Sequence, residues 1–168
     1  MHKNLLEKLL FELVKNSKRS DRELAKILGV SQPTITRART RLEKEKYIRQ
    51  YTVFPDFAKI GFELVAFNYV SMKPTQSSDL EKLQKMRVEW AKDNPNIVFE
   101  IGGEGLGSNN LMISVHKNYT DFASFIAKYR NDWANYLQDL KSFIISVPNR
   151  NLVVKDLSFN GLGKIAVT

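Results

Sequence analysis

The feature that most constrains this chain lies between residues 20 and 44. Ser20-Asp21-Arg22-Glu23 has the spacing of a capping box. In that motif the serine hydroxyl accepts the amide proton three residues on, and the glutamate reaches back to the serine amide. Leu24, Ala25, Ile27 and Leu28 then form the inward face of a short helix, and Gly29 supplies the left-handed residue that stops it. Val30 plugs the turn and Ser31 caps a further helix running to about Lys46. Pro33 is tolerated there because first-turn amides have no helical acceptor. Upstream, Leu5, Leu6, Leu9, Leu10, Leu13 and Val14 recur at helical spacing and predict a first helix ending near Asn16. Three helices, the last two joined by a Gly-Val-Ser turn, predict a helix-turn-helix. The β-prone run 47–53 adds a small wing, and Phe54-Pro55-Asp56 ends the pattern.

Charge says what such a unit would meet. Residues 1–55 carry 13 Lys and Arg against 6 Asp and Glu, whereas residues 56–168 carry 13 against 12. Nearly all of the net charge of +8 therefore sits in the first third. A basic unit joined to a near-neutral one points to a polyanion as partner. The chain has no cysteine, which excludes disulfides, thiolate metal sites and cysteine nucleophiles. No apolar run approaches the roughly 20 residues of a membrane span, and the N-terminus lacks the apolar stretch of a signal peptide. A cytoplasmic location is expected, which leaves the sequon Asn118-Tyr119-Thr120 without significance.

After a connector at 56–61 the pattern changes to alternating elements. Strands are predicted at 63–72, 97–101, 111–116 and 143–147, with a further one at 152–157. One helix, capped by Ser77, carries Leu80, Leu83, Met86 and Trp90 on a single face. A second, opened by Thr120, turns Phe122, Phe125, Ile126, Tyr129 and Trp133 inward. The order βαββαβ is the ferredoxin-like arrangement, helices on one face of an antiparallel sheet. The fold class expected is α+β: a three-helix winged helix-turn-helix over 1–55, then a ferredoxin-like domain over 62–168.

The first strand is apolar on both faces. Leu64, Ala66, Val70 and Met72 share one, and Val65, Phe67 and Tyr69 share the other. Two helices cover only one face of such a sheet. A second copy of the sheet is the simplest cover for Val65, Phe67 and Tyr69, giving a symmetric homodimer; the C-terminal tail is the other candidate.

On a 100° wheel, the third helix buries Ile35, Ala38 and Leu42 and turns Pro33, Thr36, Arg37, Thr40 and Lys44 outward. Gln32, Thr36, Arg37 and Thr40 are placed to reach base edges in the major groove of double-stranded DNA. Arginine can bridge guanine O6 and N7, glutamine can pair with adenine, and threonine can touch a thymine methyl. Lys18, Arg19, Arg22, Ser31, Arg41, Lys44 and Arg49 are the candidate phosphate contacts, which position without reading sequence.

Three stretches carry a resemblance. Glu23-Leu24-Ala25-Lys26-Ile27-Leu28-Gly29-Val30-Ser31, Thr34-Ile35-Thr36-Arg37, and Arg41-Leu42-Glu43-Lys44-Glu45-Lys46-Tyr47-Ile48-Arg49-Gln50-Tyr51 resemble the leucine-responsive/asparagine-synthesis regulator (Lrp/AsnC) family. The match is close over residues 1–61 and continues beyond them as an order of elements. The resemblance implies homodimers, often assembled to tetramers or octamers, that bind and bend pseudo-palindromic promoter DNA. It also implies a second domain that dimerises and senses a small molecule such as an amino acid. Arg39 departs from the pattern, standing where an aliphatic residue is usual, so that packing of the helix there falls to Ala38.

Gly102-Gly103-Glu104-Gly105-Leu106-Gly107-Ser108 superficially resembles a phosphate loop. It lacks the Lys-Ser/Thr ending and leads into a strand, so no helix N-terminus waits for an anion. It reads either as a plain hairpin turn or as an effector loop comprising Gly102, Gly103, Glu104, Gly105, Asn109 and Asn110. In the family an acidic residue follows the glycine; here Asn109 and Asn110 stand in its place, so the usual carboxylate partner for an amino group is missing, and Glu104 substitutes only if the loop folds back. His2 and His116 are the only histidines. His2 stands at a terminus expected to fray and His116 ends a strand with no evident acidic partner nearby in sequence, so no catalytic dyad, metal site or cofactor is expected and the chain does not read as an enzyme. The expected function is a sequence-specific DNA-binding transcription regulator. The alternatives are a low-specificity architectural DNA binder and, last, a haem-precursor decarboxylase on the same fold, with His116 as the residue to suspect.

Overall fold

The capping signals are realised at the atomic level. In the computed structural model, which describes residues 3–74, 79–149, 151 and 153–165, helix α2 (Asp21–Leu28) starts at the Ser20 cap. The Ser20 amide donates to Glu23 Oε2 at 2.7 Å, and the Glu23 amide donates to Ser20 Oγ at 3.3 Å. Gly29 ends the helix at φ 66°, a conformation that a Cβ would strain, and the Val30 amide donates back to the Ala25 carbonyl. Helix α3 (Gln32–Lys44) begins at Ser31 with Pro33 in its first turn, and α1 (Lys3–Lys15) precedes both. Leu6, Leu9, Leu13, Leu24, Ala25, Ile35, Ala38 and Leu42 form their common core. Two expectations fail here. Ile27 points outward, half exposed, because Leu24 and Ala25 fill the face turned to the core. Residues 47–53 run without forming a strand, so no wing ladder is present.

The chain folds as two units. The first holds the described residues up to Phe54 together with those from Val154 on; the second is Pro55–Val153. The last segment thus groups with the helical head instead of with the second domain, because a short helix, α6 (Leu162–Ile165), packs on α1. No strand forms over the described residues 153–157, and Leu152 lies outside them.

The second unit runs β1 (Leu64–Met72), α4 (Leu80–Asp93), β2 (Ile97–Gly105), β3 (Ser108–His116), α5 (Tyr119–Asp132) and β4 (Leu137–Ser146). The strands lie in the order β2-β3-β1-β4, all antiparallel. β2, β3 and β4 are longer than the apolar runs suggest, because ladder pairing carries polar residues such as Asn110 and Lys141 into strands. Ser77 lies outside the described residues; α4 starts after Asp79, and Leu80 in its first turn is exposed. The core collects Val70, Met112 and Leu140 from the strands, Leu83 from α4, and Phe125, Tyr129 and Trp133 around α5. Trp90 of α4 meets the Phe125, Tyr129 and Trp133 rings at centroid distances of 5.7, 5.0 and 6.3 Å. Among the described residues no helix is long and apolar enough to cross a membrane.

Under α5 runs a buried polar chain. Ser142 Oγ donates to Asn68 Oδ1, and Asn68 Nδ2 donates to Ser114 Oγ. Ser114 Oγ lies 2.8 Å from His116 Nε2, and the other ring nitrogen, Nδ1, lies 3.7 Å from Asp121 Oδ2. His116 does have an acidic neighbour, then, five residues on and one turn into α5. Its ring is fully buried against Phe122 and Phe125. Burial pushes the imidazole below its ordinary range, opposed by Asp121. The folded chain keeps His116 neutral where the unfolded chain binds a proton. Stability is accordingly intact above about pH 6.5 and falls as the pH drops from there toward the depressed folded value. Urea unfolding between pH 7.5 and 5 should show that decline, and His116→Asn should flatten it. An unchanged slope in the variant would assign the decline to other groups.

Candidate nucleic-acid interface

Helix α3 buries Ile35, Ala38 and Leu42 almost completely, which fixes what its opposite face presents. Gln32, Pro33, Thr36, Arg37, Thr40 and Lys44 are all exposed. The four candidate base readers are not equivalent. Thr36 Oγ1 donates to Asp21 Oδ2 at 2.7 Å, and Thr40 Oγ1 donates to the Thr36 carbonyl at 3.0 Å. With their hydroxyls engaged, these threonines offer methyl groups, the part suited to a thymine methyl. Neither Gln32 nor Arg37 has a side-chain hydrogen bond or ion pair among the described residues, so their polar heads are uncommitted. Ser31 spends its hydroxyl on the cap, accepting from the Thr34 amide at 3.4 Å.

The candidate phosphate residues also divide. Lys18, Arg22, Lys44 and Arg49 are exposed and carry no ion pair among the described residues. Arg19 pairs with Glu12 of α1, and Arg41 pairs with Glu45 at 2.5 Å one turn further on. Each of these two would have to share its guanidinium with a phosphate.

Sequence reasoning missed the network that ties α3 to α2. Arg39 Nε donates to Asp21 Oδ1 at 2.8 Å, and Arg39 Nη2 donates to the Arg19 carbonyl at 3.3 Å. Arg39 Nη1 reaches the Tyr51 hydroxyl at 3.5 Å, which itself donates to Glu43 Oε1 at 2.8 Å. Burial alone would raise the Asp21 carboxyl, yet the Thr36 hydroxyl and the Arg39 guanidinium hold it below its ordinary value. Burial likewise opposes the charge on Arg39, and Tyr51 and Asp21 more than restore it. The departure from an aliphatic residue at this position is thus explained: an ion pair between helices does part of the work of an apolar contact. The signal available was an acid in the first turn of α2 and a base eighteen residues on; only the fold brings them together. Asp21→Ala removes the carboxylate that both Thr36 and Arg39 use. It should destabilise the head by about 1–2 kcal/mol, below the cost of breaking a fully buried pair because both side chains keep some solvent. Thermal unfolding of the variant checks this, and a change under about 0.3 kcal/mol would show the pair to be passive.

Comparison with known proteins adds independent findings. The family profile described as winged helix-turn-helix DNA-binding matches residues 4–49. The HTH-type transcriptional regulator PH0061 of Pyrococcus horikoshii is 34% identical over 132 residues, 74% of this chain and 82% of that protein. The leucine-responsive regulatory protein of Rhizobium meliloti is 28% identical over 119 residues, 71% and 73% of the two chains. In fold, the chain is similar to the transcriptional regulator NMB0573 of Neisseria meningitidis, solved as a complex with L-Met. The TM-score is 0.76 at 17% identity, over 94% of each chain. It is similar also to AsnC of E. coli, with a TM-score of 0.67 at 16% identity over 94% and 98%. The matched winged helix-turn-helix profile and the similarity to HTH-type transcriptional regulators make this chain a DNA-binding transcription regulator. The chain belongs to the Lrp/AsnC family of such regulators.

Proposed function

We propose that this regulator acts in the cytoplasm as a homodimer, or a tetramer or octamer built from it, on pseudo-palindromic DNA. Two heads would enter successive major grooves roughly 34 Å apart on one face of the duplex. Gln32 and Arg37 read base edges, Thr36 and Thr40 contribute methyl contacts, and Lys18, Arg22, Lys44 and Arg49 hold phosphates. Arg19, Ser31 and Arg41 contribute to the backbone contact from positions already partnered within the head. The observation that carries this reading is the exposed face of α3, where the Gln32 and Arg37 heads have no partner among the described residues while the neighbouring threonine hydroxyls are engaged.

The protomers join through the sheet face opposite α4 and α5. Register sets Phe99, Ile113, Phe67 and Phe143 in one row across the four strands, with Val115, Val65 and Ile145 in the next. Phe143 keeps 63% of its surface and Phe99 46%, an apolar area that calls for a cover.

The β2–β3 hairpin is the proposed effector site in the second unit, for a small molecule such as an amino acid. Its base is stapled: Asn109 Oδ1 accepts from the Met72 amide at 2.9 Å and Asn109 Nδ2 donates to the Met72 carbonyl at 3.0 Å. Asn110 Nδ2 donates to Asn109 Oδ1 at 2.7 Å. Gly102, Gly103 and Gly105 leave the adjoining β2 edge without side chains, and the exposed Glu104 is the carboxylate offered to an amino group.

Selection of genomic fragments by the purified protein at physiological salt tests the reading. Recovery of a shared pseudo-palindrome is expected. Uniform recovery with binding intact would replace it with the architectural role, since non-specific affinity is set by phosphates alone.

A further inference from the structure

The C-terminal segment makes the head more than a three-helix unit. Gly163 is buried against α1: a Cβ there would lie 2.5 Å from Lys15 Cγ and 3.0 Å from the Phe11 carbonyl oxygen, so backbone meets helix directly. Between this segment, α1 and the chain leaving α3 lies a cavity of about 790 Å³. That volume falls within the range of small-molecule sites. Its walls are mostly apolar, with Leu10 and Val14 on α1, Tyr47 and Phe54 after α3, and Leu157 and Phe159 in the C-terminal segment, interrupted by uncharged polar residues such as Gln50 and Asn160. Tyr47 and Phe159 each keep 61% of their surface, so rings stand open to stack on a flat guest.

The polar groups select its charge. No Asp or Glu lines the cavity, and its one charged lining residue is Arg49, which has no ion pair among the described residues. An uncommitted guanidinium beside aromatic and aliphatic walls suits a planar anion, held bidentately at its acid group while its apolar body is buried.

We propose that the head carries a binding site for an aromatic organic anion, a carboxylate or sulfonate, completed by the C-terminal segment and anchored by Arg49. This site is separate from the β2–β3 hairpin. Since Arg49 is also a proposed phosphate contact, guest and DNA compete for it; that consequence alone rests on the DNA-contact reading above.

The test uses full-length, methyl-labelled protein titrated with 1-anilinonaphthalene-8-sulfonate. One saturable site per chain is expected, with shifts at the methyls of Leu10, Val14 and Leu157. Arg49→Gln, at an exposed position, should weaken the sulfonate about tenfold or more and leave the neutral N-phenyl-1-naphthylamine unchanged. Ser17→Trp, at the cavity rim, should exclude both probes. Shifts confined to Val65, Ile113 and Ile145 on the sheet would overturn the site, as would equal effects of Arg49→Gln on the two probes. Undiminished sulfonate binding in the presence of saturating DNA, with the head shifts retained, would overturn the competition alone.

Discussion

Phe67→Glu should convert the protein to a monomer at micromolar concentration. Phe67 sits on β1 in the middle of the proposed interface, between Ile113 on β3 and Phe143 on β4. In one protomer its side chain is only partly covered, so a carboxylate there keeps access to water and the fold tolerates it. In the dimer the same carboxylate would be sealed among Phe and Ile side chains, and Lys141, the cation on this face one register step along, is already paired with Asp139. Leaving a buried charge without a partner costs about 3–5 kcal/mol, and a two-fold interface incurs the cost in both copies. At about 1.4 kcal/mol per factor of ten, dissociation should strengthen by well over a hundredfold. Sedimentation velocity reads the outcome directly. A variant that still sediments as a dimer at micromolar concentration would show that the copies join elsewhere. DNA affinity should fall with the loss of dimerisation, because two heads on one duplex bind far more tightly than one.

The second large effect is expected at Arg37. Its guanidinium is exposed on the outward face of α3 and has no intramolecular partner among the described residues, so its loss leaves the head's core untouched. Arg37→Ala should weaken binding to the preferred operator by about 1–3 kcal/mol and relax selectivity at a single base position. Arg22→Ala, at an exposed position on α2, is the contrast: it should weaken all sequences alike and lower the slope of log affinity against log salt by about one. Titrations on the operator and its single-base variants at two salt concentrations separate the two behaviours. Loss from Arg37→Ala that is equal on every sequence would make Arg37 a phosphate contact and shift base reading to Gln32.

Much of this protein is written locally. A capping box needs only Ser20 and Glu23 three residues apart, and Gly29 stops α2 because no other residue takes that backbone angle cheaply. The buried stripe Ile35, Ala38 and Leu42 follows from the helical period alone. Such signals act within one turn, so the sequence by itself determined the three helices, the outward residues of α3 and the βαββαβ order. It fell short where a residue's role depends on a distant partner. Ile27 has the chemistry of a core residue and faces water because Leu24 and Ala25 already fill the space against α1 and α3. The run 47–53 has β propensity but no second strand to bond, and a ladder cannot form on one edge. The Asp21–Arg39 pair, the Asp121 carboxylate beside His116, and the seating of Gly163 on α1 each join residues remote in sequence or elements that must first fold. Those contacts cost chain entropy to close, and only the assembled core holds them together. Tertiary structure alone therefore decided which polar groups of α3 have no partner among the described residues, and that the C-terminal segment is part of the head.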